Sequence, residues 1–145
     1  QPYHYRVRDT EQKTLQLERG RLVAASLQGA NAALEEPISV VPNRHLERSR
    51  CPLLVGIRGG SQALSCGTGD RPELQLEAVP LLELFGRTGG MERFTFYKSF
   101  GGSTHVFEAA AFPGLFLSTA PRPGEPLALA APAPGAITTF YLQRR

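Results

Sequence analysis

Short strand-like runs recur about every ten residues along this chain, each closed off by Gly, Pro, Asn or Ser. This rhythm constrains the fold more than any other feature, because such runs suit strands and are too short for packing helices. Twelve candidate strands follow: Tyr3–Arg8, Thr14–Glu18, Arg21–Ala25, Ile38–Val41, Leu53–Ile57, Ala63–Cys66, Leu74–Glu77, Phe94–Lys98, Thr104–Ala109, Leu115–Thr119, Leu127–Ala130 and Thr139–Gln143. In Thr14-Leu-Gln-Leu-Glu18 and Glu73-Leu-Gln-Leu-Glu77 the leucines alternate with polar residues, so one face of each strand is buried and the other solvated. Only Val79–Phe85 reads as a helix, with Pro80 near its start, where the missing amide donor is tolerated. The strands fall into three blocks of four, near residues 1–50, 51–100 and 101–145. Periodicity alone predicts an all-β sandwich or closed barrel.

At 145 residues the chain is expected to form one domain, 1–145, able to bury roughly two-thirds of its unfolded surface. It holds no apolar run of about 18 residues, so no membrane insertion is expected. The opening Gln1-Pro-Tyr-His-Tyr-Arg6 is polar and unlike a secretory signal. Net charge is +3, and most cations are scattered arginines without an accompanying set of stacking aromatics, which argues against a nucleic-acid partner. Arg44, Arg48, Arg50 and Arg58 are the one grouping, read as a solvated loop, with an acidic-partner patch as the alternative. Cys51 and Cys66 permit one disulfide at most; both are read as free thiols, with Cys66 in the core.

Nothing in the chain predicts catalysis. His4, His45 and His105 fall in different blocks away from other ligand types, so no metal and no cofactor are expected. Ser61 and Ser118 lack a nucleophile elbow, and Gly56–Gln62 lacks the Gly-Lys-Ser/Thr ending of a phosphate loop. Gly59-Gly60 instead predicts a two-residue hairpin turn. The rings of Phe94, Phe96, Phe100, Phe107, Phe112, Phe116 and Phe140 are assigned to the core, while Tyr97 and Tyr141 keep their hydroxyls at the surface. Loops are expected at Gln28–Pro37, Pro42–Pro52 and Ala131–Gly135, the last held extended by Pro132 and Pro134.

The stretch Phe107–Thr119 carries a family signature. Phe107, Ala110, Pro113, Phe116, Leu117, Ser118, Thr119 and the distal Leu127 match it, whereas Ala109 replaces the usual Ser. In this stretch the chain resembles the interleukin-1 cytokine family. The likeness extends through Glu36–Arg44, Leu54–Gln62, Leu64–Gly67, Leu74–Glu77, Leu82–Phe85, Phe94–Lys98 and Ile137–Tyr141, and is greatest for the interleukin-36 branch. Val41-Pro-Asn-Arg44 and Gly59-Gly-Ser-Gln62 resemble the branch's antagonist more than its agonists, and Leu115 stands where that branch usually has Trp.

The resemblance implies a β-trefoil of about twelve strands with pseudo-threefold symmetry. It implies a monomeric, non-enzymatic ligand, secreted without a signal peptide and cytoplasmic before release. Its partners would be the interleukin-36 receptor ectodomain and, for an agonist, the interleukin-1 receptor accessory protein. An antagonist would bind the first without recruiting the second. On this reading the receptor-facing residues are Asn43, Arg44, His45, Arg48, Arg50, Tyr97, Pro132 and Pro134. Val7-Arg8-Asp9 matches the family's N-terminal processing motif, while Asp9 by itself predicts a side-chain-capped turn with Thr10 and Glu11. The competing functions are an agonist of the same receptor and a carbohydrate- or heparin-binding trefoil. The absence of Trp disfavours a lectin.

Overall fold

The structure, a computed structural model, describes residues 2–26 and 33–145, with the Arg48 side chain outside that set. The expected loop Gln28–Pro37 therefore lies partly outside the described residues. Among the described residues thirteen strands are observed: β1 Tyr3–Asp9, β2 Lys13–Glu18, β3 Arg21–Ser26, β4 Ile38–Pro42, β5 Pro52–Ile57, β6 Gln62–Ser65, β7 Gln75–Glu77, β8 Thr95–Gly101, β9 Thr104–Ala109, β10 Phe116–Ser118, β11 Glu125–Pro126, β12 Ala128–Ala130 and β13 Phe140–Arg144. The additional strand is β11, whose two residues pair with Ala24 and Val23 in the first block.

Six strands close a barrel. The antiparallel pairings β1–β4, β4–β5, β5–β8, β8–β9, β9–β13 and β13–β1 return to their starting point, leaving no free edge in the ring. The other strands form hairpins that cap one end: β2–β3, β6–β7, and β10 with β12. Each block thus supplies two barrel strands and one cap hairpin, which is the β-trefoil plan.

Alternation explains why these segments close around one interior. Every barrel strand points a buried apolar side chain inward: Val7, Val40, Val55, Phe96, Phe107 and Phe140. Leu15, Leu22, Leu64, Leu117 and Leu127 from the cap hairpins pack beneath them. Fully burying a ring such as Phe96 contributes about 2–3 kcal/mol. The barrel axis retains an apolar cavity of about 30 Å³, too small for a substrate or cofactor. A second cluster seats α1, Leu81–Phe85, where Leu81 and Leu84 face Val41, Leu54, Met91 and Phe94. The helix begins at Leu81, two residues later than the expected Val79, with Pro80 extended as its N-cap residue.

Three local expectations are corrected. Phe100 is not core: its ring is 66 % exposed. Strand β8 pairs Tyr97 with Pro52, the first residue of β5, so Phe100 runs past the end of β5 while still paired with His105 of β9. Gly59-Gly60 does not form a two-residue turn, because Ile57 pairs with Gln62 and the connection is the four residues 58–61. The proline-containing loop is not extended at its end. Ala136 N–H donates to Ala133 O at 3.1 Å, with Gly135 at φ 89°, so Pro134-Gly135 forms a tight turn.

Candidate recognition surface

The residues expected to face a receptor are held by a network around one row of paired strand positions. The register aligns Pro52 with Tyr97, Tyr97 with Glu108, Glu108 with Phe116, and Phe116 with Ala130. Loop 43–51 enters this row at Pro52, and loop 131–136 leaves it at Ala130. Lys98 N–H bonds to Cys51 O on one side of the row, and Ala109 N–H to Leu115 O on the other. The two loops accordingly depart in opposite directions along the strands.

Loop 43–51 is braced from below by Asn43, which is buried rather than displayed. Its Nδ2 donates to Thr95 Oγ1 at 2.9 Å and its Oδ1 accepts His45 N–H at 3.0 Å. Thr95 Oγ1 in turn donates to Met91 O, so the loop's entry is tied to the segment ahead of β8. Arg44 and His45 are exposed, with the Arg44 guanidinium 5.3 Å from the centroid of Phe85. Arg48 opens the 3-10 turn Arg48–Arg50.

Arg50 and Tyr97 are brought together. The guanidinium lies 4.2 Å from the Tyr97 ring centroid and forms an ion pair with Glu108 Oε1. The other oxygen, Oε2, accepts Gly114 N–H at 2.8 Å. Glu108 therefore fastens loop 43–51 to the Phe112–Gly114 turn. Sequence reasoning missed this residue as a site component. Alternation puts Glu108 outside the barrel between inward Phe107 and Ala109, but only the register supplies Arg50 and Gly114 as partners. Pro132 and Pro134 are exposed on a short turn whose side chains are Ala and Pro.

Val7-Arg8-Asp9 is a structural element. Val7 is in the core, and Arg8 Nη2 lies 3.7 Å from Glu35 Oε1. The Asp9 carboxylate is buried: Oδ1 accepts the amides of Glu11 and Lys13, both at 2.9 Å. Its Oδ2 meets Lys13 Nζ at 2.8 Å and accepts the Thr119 hydroxyl. The expected capped turn is present, reinforced by Gln12 N–H on Asp9 O.

Titration shifts lie away from the loops. Arg93 donates two hydrogen bonds to Glu77, which holds the carboxyl below and the guanidinium above their ordinary ranges. Burial, then Lys98, lowers His105. Burial pushes the Cys66 thiol up to about 12, which leaves it inert, and both cysteines are free. Among the described residues no group of three or more His, Cys, Asp or Glu could hold a metal. Among the described residues no helix is long and apolar enough to cross a membrane.

A closed six-strand barrel with three cap hairpins defines a β-trefoil. The interleukin-1/18 family pattern matches residues 27–142, and the chain belongs to that family. It is 42 % identical to the human interleukin-36 receptor antagonist protein over 97 % of this chain and 94 % of that protein. It is 44 % identical to the human interleukin-1 receptor antagonist protein, covering 96 % of this chain and 77 % of that protein. The crystal structure of chicken interleukin 1 beta superposes with a TM-score of 0.84 at 27 % identity, over 99 % of this chain and 96 % of that one. The chain is thus a cytokine with a receptor partner, not an enzyme, and cytokines of this family act extracellularly.

Proposed function

We propose that this cytokine is an antagonist at the interleukin-36 receptor, occupying the primary receptor ectodomain without recruiting the interleukin-1 receptor accessory protein. The carrying observation is the 42 % identity to the interleukin-36 receptor antagonist protein across nearly all of both chains. The character of loop 131–136 favours the same reading. Its Ala and Pro side chains offer a second receptor chain no hydrogen-bonding groups of their own. Arg44, His45, Arg48, Arg50 and Tyr97 form the primary contact, with Asn43 setting the loop's shape from beneath. Pro132 and Pro134 cover the surface that fails to recruit. The ligand acts as a monomer, and Val7-Arg8-Asp9 marks its N-terminal processing.

Reporter cells bearing the interleukin-36 receptor test this reading. The protein alone is expected to give no signal and to move an agonist's dose–response curve to higher concentration. Activation by the protein itself overturns antagonism. A second reading is antagonism at the interleukin-1 receptor, favoured by the 44 % identity to that receptor's antagonist. Binding to the two isolated ectodomains side by side distinguishes them.

A further inference from the structure

The net positive charge of the molecule is gathered at one end of the barrel. The end opposite the cap hairpins is built from loop 43–51, the β8–β9 hairpin, the start of β1 and the end of β13. Pairing of Tyr3 with Val40 and of Tyr5 with Arg144 puts the start of β1 beside the ends of β4 and β13. These segments carry Arg44, Arg48, Arg50, Lys98, Arg144 and Arg145, against only Glu47 and Glu108. The rest of the chain carries ten cations and eleven carboxylates, so this end alone accounts for the positive balance.

Three of these guanidiniums are stacked on rings. Arg44 lies 5.3 Å from Phe85, Arg50 4.2 Å from Tyr97 and Arg144 4.6 Å from Tyr3. Stacking orients a guanidinium without using its edge N–H groups, which at Arg44 and Arg144 can meet an anion, whereas Arg50 is engaged by Glu108. Arg145 is fixed by its backbone, whose N–H donates to His4 O at 3.0 Å. Six cations against two carboxylates give the face its charge, and the rings of Tyr3 and Phe100 remain exposed beside them. Protein interfaces rely on a desolvated apolar centre, whereas sulfate groups pair with such donors individually.

From this arrangement we infer that the open end of the barrel binds a sulfated polysaccharide through Arg44, Arg144 and Arg145, with Arg50 and Lys98 contributing to the field. This is a partner additional to the receptor. Docking would place the ligand's cap end toward solution, and the glycan would share loop 43–51 with the proposed receptor contact.

Immobilised heparin is the probe. The protein is expected to remain bound above about 0.15 M NaCl. The triple variant Arg44→Ala/Arg144→Ala/Arg145→Ala should bind roughly ten-fold more weakly. A second triple variant, Arg21→Ala/Arg71→Ala/Arg122→Ala, removes the same charge from exposed positions in the cap hairpins and their connections, and should bind as the parent does. Near-ultraviolet circular dichroism establishes that both variants are folded. Flow-through of the parent protein at that salt, or equal weakening of the two variants, overturns the inference. So does a first variant that loses affinity for an isolated interleukin-36 or interleukin-1 receptor ectodomain while keeping its affinity for heparin, since the face would then serve a protein.

Discussion

Asp9 and Thr119 stand 110 positions apart in the chain, yet the Thr119 hydroxyl donates to Asp9 Oδ2 in the interior. The same carboxylate neutralises Lys13, whose side chain is only 4 % exposed. Thr119 also exchanges backbone hydrogen bonds with Ile137, so Asp9 joins the first turn of the fold to its third block. The aspartate of the Val7-Arg8-Asp9 motif is therefore needed by the folded trefoil itself.

Replacing that carboxylate should be severe. Asp9→Asn leaves the Lys13 ammonium buried without a counter-charge, at a cost of about 3–5 kcal/mol. Thr119→Val removes one hydrogen bond to a charged acceptor and should cost about 1.5–3 kcal/mol. Urea unfolding of both variants measures this. Equal, small losses would show that the buried pair does not join the blocks.

The Arg50–Glu108–Gly114 link should govern loop order more than global stability. The pair is partly solvent-exposed, so Glu108→Ala should lower unfolding free energy by about 1 kcal/mol or less. Amide exchange should nevertheless quicken at Gly114, whose N–H loses its acceptor, and across 47–51. Hydrogen-exchange mass spectrometry of the parent and the variant reads both effects, and unchanged protection would remove Glu108 from the recognition surface.

How far the sequence reveals this architecture depends on where each partner lies. The barrel and cap strands announce themselves, since alternation and turn residues are local signals, and Thr14–Glu18 or Thr104–Ala109 need no tertiary information to be seen. Strand β11 carries no such pattern in Glu125-Pro126 and exists through its pairing with the first block. Aromatic character signals burial at Phe100, but the signal fails where a strand outruns its neighbour. Arg50, Tyr97, Asn43 and Arg44 are visible as loop or strand residues. Their stacking and bracing partners Phe85, Thr95 and Glu108 come from other elements and depend on register.

The contrast between Phe96 and Phe100 can be measured. Both lie on one face of β8, but Phe96 is fully buried and Phe100 mostly exposed against His105, with ring centroids 4.9 Å apart. Phe96→Ala should cost about 3–5 kcal/mol. Phe100→Ser should cost about 0.5 kcal/mol or less, as for surface positions generally. A Phe100 variant as unstable as the Phe96 variant would place that ring in the core after all.

Stability should fall on mild acidification because of His105. Burial, followed by the Lys98 charge, lowers its folded-state pKa, so the native protein disfavours the protonated ring while the unfolded chain accepts it. This contribution is complete above the ordinary imidazole range near about 6.5 and diminishes as pH falls through that value toward the lowered one. Nδ1 is buried without a hydrogen-bond partner, which leaves no acceptor for an added proton. Melting temperature should decline between about pH 7.5 and 5, and His105→Phe should flatten the decline. An identical slope in the variant would assign the effect to other groups.

The two cysteines should differ sharply in reactivity. Cys51 is exposed in loop 43–51, whereas Cys66 is fully buried, and its thiol, pushed up to about 12, has almost no thiolate near neutrality. A thiol reagent should therefore label one cysteine per chain in the native protein and both in denaturant. Peptide mapping should find the native label on Cys51. Rapid native labelling of Cys66 would mean that the β6 end of the barrel opens readily, because reagent reaches that sulfur only when the packing around Leu64 and Phe96 separates.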